Sequence, residues 1–250
     1  MAIAVDSAND VLYLAQGGQR KIDKVKASTG AFIGSIGGTT ASSGTCPASG
    51  VTPGWCTGGT FTSGTTDGMY SQMGGLAFDP VNDALYIADT GNQRIVKVTA
   101  STGAFVGAIG KTTASTGTCP ASGIASTWCT GGTFTSASQD GAYNDPYMVT
   151  VDPILHTIYV DDYNNDRIVK LVAKTGSFMG AIGNATASTG TCPASGPASK
   201  WCTGGTFTYG SGDGMFGTSP GAPMRFAVSL TANQLYISDT NNNRIVKTSK

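Results

Sequence analysis

The sequence contains no glutamate and a single histidine, His156, and only 12% of its 250 residues are charged. These absences exclude several kinds of active site. A two-histidine metalloprotease helix, a calcium loop that ends in glutamate, and a catalytic triad on any histidine other than His156 all require residues that the chain lacks. We therefore expect no catalytic residue, no metal and no other cofactor, and the protein is not expected to be an enzyme.

Long apolar runs and clustered positive charge are also missing. No hydrophobic segment approaches the ~18 residues that a helix needs to cross a bilayer, so no membrane insertion is expected. The 15 basic residues are balanced by 15 acidic ones, whereas nucleic-acid-binding domains concentrate positive charge on one face, so no nucleic-acid partner is expected. The N-terminus reaches Asp6 too soon to contain a signal peptide, which suggests that residue 1 begins an excised domain.

The residues that are abundant favour strands and turns. The chain has 36 glycines and 57 serines and threonines, and its valines, isoleucines and tyrosines stand between clusters of glycine and asparagine. Threonine, valine, isoleucine and tyrosine favour strands, and glycine and asparagine favour turns. The composition therefore predicts an all-β protein and argues against helix bundles and doubly wound folds.

A period of 73 residues organises the chain, as in repeat architectures. Rare residues show it best: the cysteines Cys46, Cys119 and Cys192, and the tryptophans Trp55, Trp128 and Trp201. A fourth copy begins at Phe226 and is displaced by four extra residues around 217–223. The chain therefore contains three full repeats and part of a fourth.

The first half of each repeat predicts four short strands. In the second repeat, apolar segments at 76–78, 84–88, 94–98 and 104–109 are separated by turn residues, which is typical of a four-stranded meander sheet. A repeated sheet of this kind predicts the blades of a β-propeller. We expect blades at about 2–37, 75–110, 148–183 and 225–250, the last with three strands.

The second half of each repeat is an insert rich in glycine, serine and threonine, at about 38–74, 111–147 and 184–224. Six cysteines permit 15 pairings, but the threefold repeat favours one disulfide within each insert: Cys46 with Cys56, Cys119 with Cys129, and Cys192 with Cys202. Free thiols or a zinc site are the alternatives. Disulfides predict an oxidising location, which is extracellular, at the cell surface or periplasmic.

The blade segments resemble the NHL repeat. The matching residues are 3–6 for the innermost strand, 235–239 for the second strand, 239–246 for the following turn and third strand, and 212–216 for the run before a blade. The resemblance implies a propeller used mostly for binding proteins, RNA or ligands, and it implies that all three inserts project from one face. It does not cover the inserts, and the first copy departs from it at Gln16 and Lys21.

A carboxylate and an arginine flank the turn between the second and third strands of three blades. We expect these residues to form an Asx turn and an ion pair that joins neighbouring blades, and a ligand clamp is the alternative. They are Asp89 with Arg94, Asp162 with Arg167, and Asp239 with Arg244. Residues 161–166 are acidic enough to raise the question of calcium, but they lack the glutamate and glycine of a calcium loop.

Each tryptophan directly precedes the second cysteine of its insert. In one interpretation the ring covers its own disulfide, and in the other it displays an aromatic face to a sugar or a partner side chain. Three phenylalanines are expected to attach the inserts to the blades: Phe61, Phe134 and Phe207.

Together these patterns predict a non-catalytic recognition or adhesion module outside the cytoplasm. Its insert-bearing face is expected to bind a surface glycan or protein, with Trp55, Trp128 and Trp201 as candidate contacts. The alternative is a structural or oligomerisation segment of a larger surface protein, in which the open last blade pairs with another copy. An enzyme that uses the central channel near His156 is the third interpretation.

Overall fold

The computed structural model describes residues 1–217, 224–229 and 233–250. In chain order, blade 1 contains β1 (Ala2–Asp6), β2 (Val11–Gln16), β3 (Lys21–Lys26) and β4 (Phe32–Ser42), and insert 1 adds β5 (Gly50–Val51) and β6 (Gly59–Thr62). Blade 2 contains β7 (Met73–Asp79), β8 (Ala84–Asp89), β9 (Arg94–Thr99) and β10 (Phe105–Ile109), and insert 2 adds β11 (Lys111–Ser115), β12 (Gly123–Ile124) and β13 (Gly132–Thr135).

The second half of the chain repeats this order. Blade 3 contains β14 (Pro146–Asp152), β15 (Thr157–Asp162), β16 (Arg167–Val172) and β17 (Phe178–Ser188), and insert 3 adds β18 (Gly196–Pro197) and β19 (Gly205–Thr208). Blade 4 contains β20 (Met224–Ser229), β21 (Gln234–Asp239) and β22 (Arg244–Ser249). Residues 218–223 lie outside the described residues. They include most of the extra residues expected around 217–223 and the end of the third insert.

Every blade is an antiparallel meander in which consecutive strands pair. The first strands of successive blades lie against one another, β1 with β7, β7 with β14, and β14 with β20. This arrangement confirms the expected all-β fold with propeller-type blades. No helix of the described part of the chain is long and apolar enough to cross a membrane.

Residues with a left-handed backbone conformation occur at fixed positions in the turns of each blade. The turn between the first and second strands has a positive φ at Asp10, Asp83, His156 and Asn233, and the turn between the second and third strands has one at Arg20, Gln93, Asp166 and Asn243. Asparagine, aspartate and histidine adopt this conformation more readily than most residues. The single histidine is therefore a turn residue at the position where the other blades have aspartate or asparagine.

Each insert continues the fourth strand of its blade and then folds back onto it. In insert 1, Gly38 and Thr39 of β4 pair with β5 on one side and with β6 on the other. The chain then returns to the outer edge of the blade, where Ser35 and Cys56 exchange backbone hydrogen bonds of 2.7 and 3.1 Å. The inserts leave their blades at the edge that carries the turns between second and third strands, as the resemblance implies, but part of each insert also covers the outer strand.

Candidate functional site

All three predicted disulfides are present, Cys46–Cys56, Cys119–Cys129 and Cys192–Cys202, each with a Cα–Cα distance of 4.8 Å. Each closes a short loop, and closing a loop of this length stabilises a fold by about 2.5–3 kcal/mol on the chain-entropy model. The residues that pack with the Cys119–Cys129 bridge are Ala125 and Phe134. The phenylalanine, rather than the tryptophan, therefore forms the small core around this disulfide.

The three tryptophans connect successive blades. Trp55 packs against Tyr13 of blade 1 in a tilted arrangement at a centroid distance of 5.7 Å, and its indole N–H donates to the Ala100 carbonyl of blade 2 at 2.9 Å. Trp128 makes the equivalent contacts with Tyr86 at 5.7 Å and the Ala173 carbonyl of blade 3 at 3.2 Å. Trp201 packs against Tyr159 in a tilted arrangement at 5.5 Å and donates to the Ser249 carbonyl at 3.3 Å.

A lysine also lies against each indole ring. The ammonium groups are 5.4 to 5.8 Å from the ring centroids, in the pairs Lys24 with Trp55, Lys97 with Trp128, and Lys170 with Trp201. Burial lowers the pKa of all three lysines. Each tryptophan is half-buried, with its N–H bonded and its ring in contact with a tyrosine and a lysine, so a ligand could stack only on the remaining exposed part.

The aspartate and arginine pairs hold the loops that lead into their own blades. Arg94 is fully buried, and its Nε donates to Asp89 at 2.9 Å. Its two terminal nitrogens donate to the carbonyls of Thr65, Thr66 and Met69 at 2.7 to 3.1 Å. These carbonyls belong to residues 64–70, which we call a lead-in loop. The arginine thus binds the lead-in loop of its blade rather than joining neighbouring blades through an ion pair.

Blades 3 and 4 contain the same clamp, but the arginine is buried in blade 3 and partly exposed in blade 4. Arg167 is buried, pairs with Asp162 at 2.7 Å and binds two carbonyls of the lead-in loop at 137–143. The Arg244 side chain is 26% exposed, pairs with Asp239 at 2.9 Å and binds three carbonyls of the loop at 210–216. Burial raises the pKa of Asp89 and Asp162 although an arginine lies beside each.

Blade 1 replaces this clamp. In place of the aspartate and arginine it has Gln16 and Lys21, and both bind Asp23, the lysine at 3.0 Å. The departure from the repeat that the sequence showed is therefore compensated locally by a third polar residue.

Two pockets form where a lead-in loop meets the insert that leaves the same blade, and we call them the lead-in pockets. The first, of about 370 Å³, is lined by residues 65–67, 114–116 and 131–133. The second, of about 470 Å³, is lined by residues 138–140, 187–189 and 204–206. Their walls consist of serine, threonine, alanine and glycine residues and one aspartate per pocket, and the second pocket also contains Gln139.

The aspartate of each lead-in pocket has one bonded and one unbonded oxygen. Oδ2 of Asp67 accepts the Gly131 N–H, and Oδ2 of Asp140 accepts the Gly204 N–H, both at 2.8 Å. Oδ1 of both aspartates is buried and has no hydrogen-bond partner among the described residues. Buried polar atoms are nearly always bonded, so a repeated exception in a pocket marks it as a candidate binding site.

Sequence reasoning did not single out Asp67 and Asp140. Their 73-residue spacing and the glycine after each are visible in the sequence, but the insert residues they meet are about 64 positions further along the chain. The equivalent Asp213 of blade 4 has a fully exposed side chain. Only the two internal repeats combine a lead-in loop with a following insert in the described structure.

The acidic turn of blade 3 has structural partners. Asp162 accepts hydrogen bonds from Arg167 and Asn165 at 2.7 and 2.9 Å. In the part of the chain that the structure describes, no three His, Cys, Asp or Glu residues are placed to hold a metal ion together.

Antiparallel blades with their first strands side by side define a β-propeller-type protein, and the fold and disulfides are compatible with an extracellular binding module. No family model and no curated protein matches the chain, so the likeness to NHL repeats remains a resemblance.

Solved structures with similar folds include hydrazine synthase of Kuenenia stuttgartiensis, at 11% identity and a TM-score of 0.46, covering 100% of this chain and 48% of that one. U3-55K is similar at 8% identity and a TM-score of 0.47, with 99% and 51% covered. The WD40 repeats of RRP9 are similar at 8% identity and a TM-score of 0.44, with 99% and 50% covered. The chain spans about half the length of these structures, and similarities at this level say nothing about function.

Proposed function

We propose that the protein is a non-catalytic recognition module that works outside the cytoplasm and binds a surface glycan through the lead-in pockets. The observation that carries this proposal is the repetition of one polar pocket, with one half-bonded aspartate, in two consecutive repeats. The disulfides support the location, because such bonds persist mainly in oxidising compartments. The resemblance of the blades to NHL repeats supports a binding role.

The chemistry of the lead-in pockets suits a sugar. A carboxylate oxygen accepts hydrogen bonds only, and Oδ1 of Asp67 and of Asp140 lacks a donor in the described structure. The serine and threonine hydroxyls of the walls can donate to or accept from sugar hydroxyls. Oδ1 itself is buried in the pocket wall, so a sugar hydroxyl supplies its missing donor after a rotation of the aspartate side chain. Volumes of about 370 and 470 Å³ fall in the range of small-molecule sites.

Two equivalent pockets on one rigid frame favour a repetitive ligand. When one pocket is occupied, the other meets the next residue of the same surface at a high effective concentration, which strengthens overall binding without any new contact. A glycan-coated surface provides such repetition. A protein partner is the second candidate for the same face.

The test is binding to a glycan array and to cells, with the double variant Asp67→Asn and Asp140→Asn. Asparagine keeps an oxygen for the glycine N–H but replaces the unbonded carboxylate oxygen by an amide donor. Asp213→Asn is the matched control, because that aspartate is exposed. We expect the double variant to lose binding at least tenfold, each single variant to lose avidity, and the control to bind as the wild type does.

Three outcomes contradict the proposal. Equal glycan binding by the wild type and the double variant removes the pockets from the binding site. If a variant with all three tryptophans changed to phenylalanine loses binding and the aspartate variant does not, the binding site is at the exposed parts of Trp55, Trp128 and Trp201. Binding to a cell-surface protein in place of any glycan selects the second candidate.

A structural or oligomerisation role is the other candidate function. The tryptophans favour it, since each indole N–H already binds a carbonyl of the following blade. On this interpretation the inserts hold successive blades together and need no ligand.

A further inference from the structure

A different pocket lies between blades 2 and 3, at the edge that carries the turns between second and third strands, and we call it the tyrosine pocket. Its volume is about 270 Å³. The blade 2 side contributes Gln72, Thr90 and Gly91, and the blade 3 side contributes Asp145, Tyr147 and Tyr163. Both blades have a neighbouring blade on each side, so the pocket belongs to the interior of the repeat array. It shares no residue with the lead-in pockets.

A β-bulge in the first strand of each blade shapes this junction. Residues 73–76 of β7 and 146–149 of β14 each contain one residue more than the strand segment they pair with, and bulges of this kind redirect a side chain. A β carbon on Gly74 would lie 2.1 Å from the Tyr147 carbonyl oxygen, so the glycine permits the blade 3 strand to come this close. The two bulges therefore pack together and place Tyr147 in the wall of the pocket.

Two tyrosine rings form the aromatic part of that wall. The ring centroids of Tyr147 and Tyr163 are 5.8 Å apart, with the ring planes inclined by 38°, and both residues are half-buried. A cation within about 6 Å of a ring centroid is attracted by the ring quadrupole. Because the two centroids are themselves so close, one positively charged group in the pocket can lie within this distance of both rings.

Asp145 adds a carboxylate whose charge is not compensated. Its Oδ1 accepts from Gln93 Nε2 at 2.5 Å and its Oδ2 accepts from Asn164 Nδ2 at 2.7 Å. These two amides fix the carboxylate from both blades but bring no charge, and among the described residues no lysine or arginine pairs with Asp145. A carboxylate has about four acceptor positions, so each oxygen can accept one more hydrogen bond.

The three residues that supply the rings and the charge are specific to this junction. Their counterparts 73 residues earlier in the chain carry no aromatic ring and no charge: Gln72, Gly74 and Thr90. The tyrosine pocket is therefore a feature of one junction and not of the repeat.

We infer that the tyrosine pocket binds an alkylammonium group, with the rings of Tyr147 and Tyr163 beside the charged head and Asp145 as its counter-ion. The carboxylate favours a cation over a neutral ligand, and the rings favour an organic cation. A metal ion such as Ca²⁺ needs several oxygen ligands, whereas this pocket offers one carboxylate. The inference does not depend on glycan binding by the lead-in pockets.

The test is the binding of choline and of N-acetyl-lysine methylamide, followed by two-dimensional NMR at constant ionic strength. Neohexyl alcohol, which has carbon in place of the choline nitrogen, is the neutral control ligand and should bind about tenfold more weakly than choline. The backbone amides of Gly91, Tyr147 and Tyr163 should shift with the cations. Tighter binding of choline indicates a quaternary ammonium compound as the source of the group, and tighter binding of the lysine derivative indicates a protein side chain.

Two variants test the two halves of the site. Tyr163→Leu removes one ring and Asp145→Asn removes the charge, and each should weaken choline binding about fivefold to tenfold. Tyr209→Leu is the matched control, because Tyr209 is 41% exposed and lies outside this pocket. Unchanged melting temperatures establish that the variants are folded, and the shifts in the wild type locate the site without any substitution.

Three results overturn the inference. Equal affinity for choline and neohexyl alcohol shows that apolar burial and not charge attracts the ligand. Absence of shifts at the pocket with both cations, or unchanged affinity in both Tyr163→Leu and Asp145→Asn, removes the site. The Asp67→Asn and Asp140→Asn double variant should bind choline as the wild type does, so failure of the glycan proposal and failure of this one are distinguishable.

Discussion

The buried clamp of blade 2 offers the sharpest test of how this fold is held together. Arg94 is completely buried and donates to Asp89 and to three lead-in loop carbonyls. The substitution Arg94→Met keeps much of the side-chain volume but leaves the Asp89 carboxylate buried without its cation. Removing one partner of a buried pair costs about 3–5 kcal/mol, so we expect a loss of about 4 kcal/mol.

Blade 4 provides the matched control. Arg244 makes the same contacts, but its side chain is 26% exposed, so water can reach the carboxylate once the arginine is gone. We therefore expect Arg244→Met to cost about 1–2 kcal/mol, below the range for fully buried pairs. With a urea m-value of about 3 kcal/mol/M, Arg94→Met should lower the unfolding midpoint by about 1.3 M and Arg244→Met by about 0.5 M.

The pH dependence of the Arg94→Met variant gives an independent signature. Burial already raises the pKa of Asp89, and Arg94 opposes that rise, so the variant raises it further. A carboxyl with a raised folded-state pKa binds more protons folded than unfolded, and stability then falls as pH rises. The deficit of Arg94→Met relative to wild type should therefore be smaller at pH 4 than at pH 7.

The second substitution Asp89→Leu in the Arg94→Met background should recover part of the loss, because it removes the unpaired buried charge. The loop carbonyls and the Ser71 and Asn92 donors stay without their partners, so recovery is incomplete. Urea titrations followed by far-ultraviolet circular dichroism measure the stability of the wild type, the two single variants and the double variant, which together form a double-mutant cycle. Equal costs for Arg94→Met and Arg244→Met, or no recovery in the double variant, would refute the argument from burial.

Two further predictions concern the tryptophans and tyrosines. Trp128→Phe should lower the free energy of unfolding by about 1 kcal/mol, because the hydrogen bond to the Ala173 carbonyl is lost while that carbonyl still accepts from Tyr86. Trp128→Ala should lower it by about 3 kcal/mol, because the packing of the ring is also lost. Indistinguishable urea midpoints for the two variants would contradict a role of Trp128 in joining the blades. Burial raises the pKa of Tyr159 to about 12 and that of Tyr70 and Tyr143 beyond the usual range. As pH rises, the unfolded chain therefore loses these protons before the folded chain does. The free energy of unfolding should keep its full value below pH 10 and fall as pH rises from 10 toward 12. Melting temperatures between pH 8 and 11 and titration at 295 nm test this, and a native protein in which every tyrosine ionises near pH 10 contradicts it.

Local chemistry explains what could be predicted early. The turns at Asp10, Asp83 and Asn233 follow from residues that tolerate a positive φ, and the strands between them follow from their apolar pattern. The threefold repeat of two cysteines ten residues apart favoured the disulfide pairing that the structure contains. All of these contacts connect residues that are close in the chain.

The surroundings of the tryptophans could not be predicted in the same way. Neither covering its own disulfide nor free display describes Trp55, which lies between Tyr13 and the Ala100 carbonyl, 45 residues further on. The lead-in pockets could not be predicted for the same reason, because Asp67 meets Gly131 only after a whole blade has folded between them.

The sequence by itself therefore determined the repeat, the strand and turn content and the disulfides, because each depends on neighbours within one blade or insert. Only the tertiary structure decided which tryptophan face is covered, which aspartates share a pocket with an insert and which isoleucines are left exposed. The physical reason is that a periodic sequence gives equivalent residues the same local structure, whereas burial depends on having a neighbouring blade. Ile22 and Ile245 occupy equivalent positions in the repeat, yet one is completely buried and the other is 75% exposed.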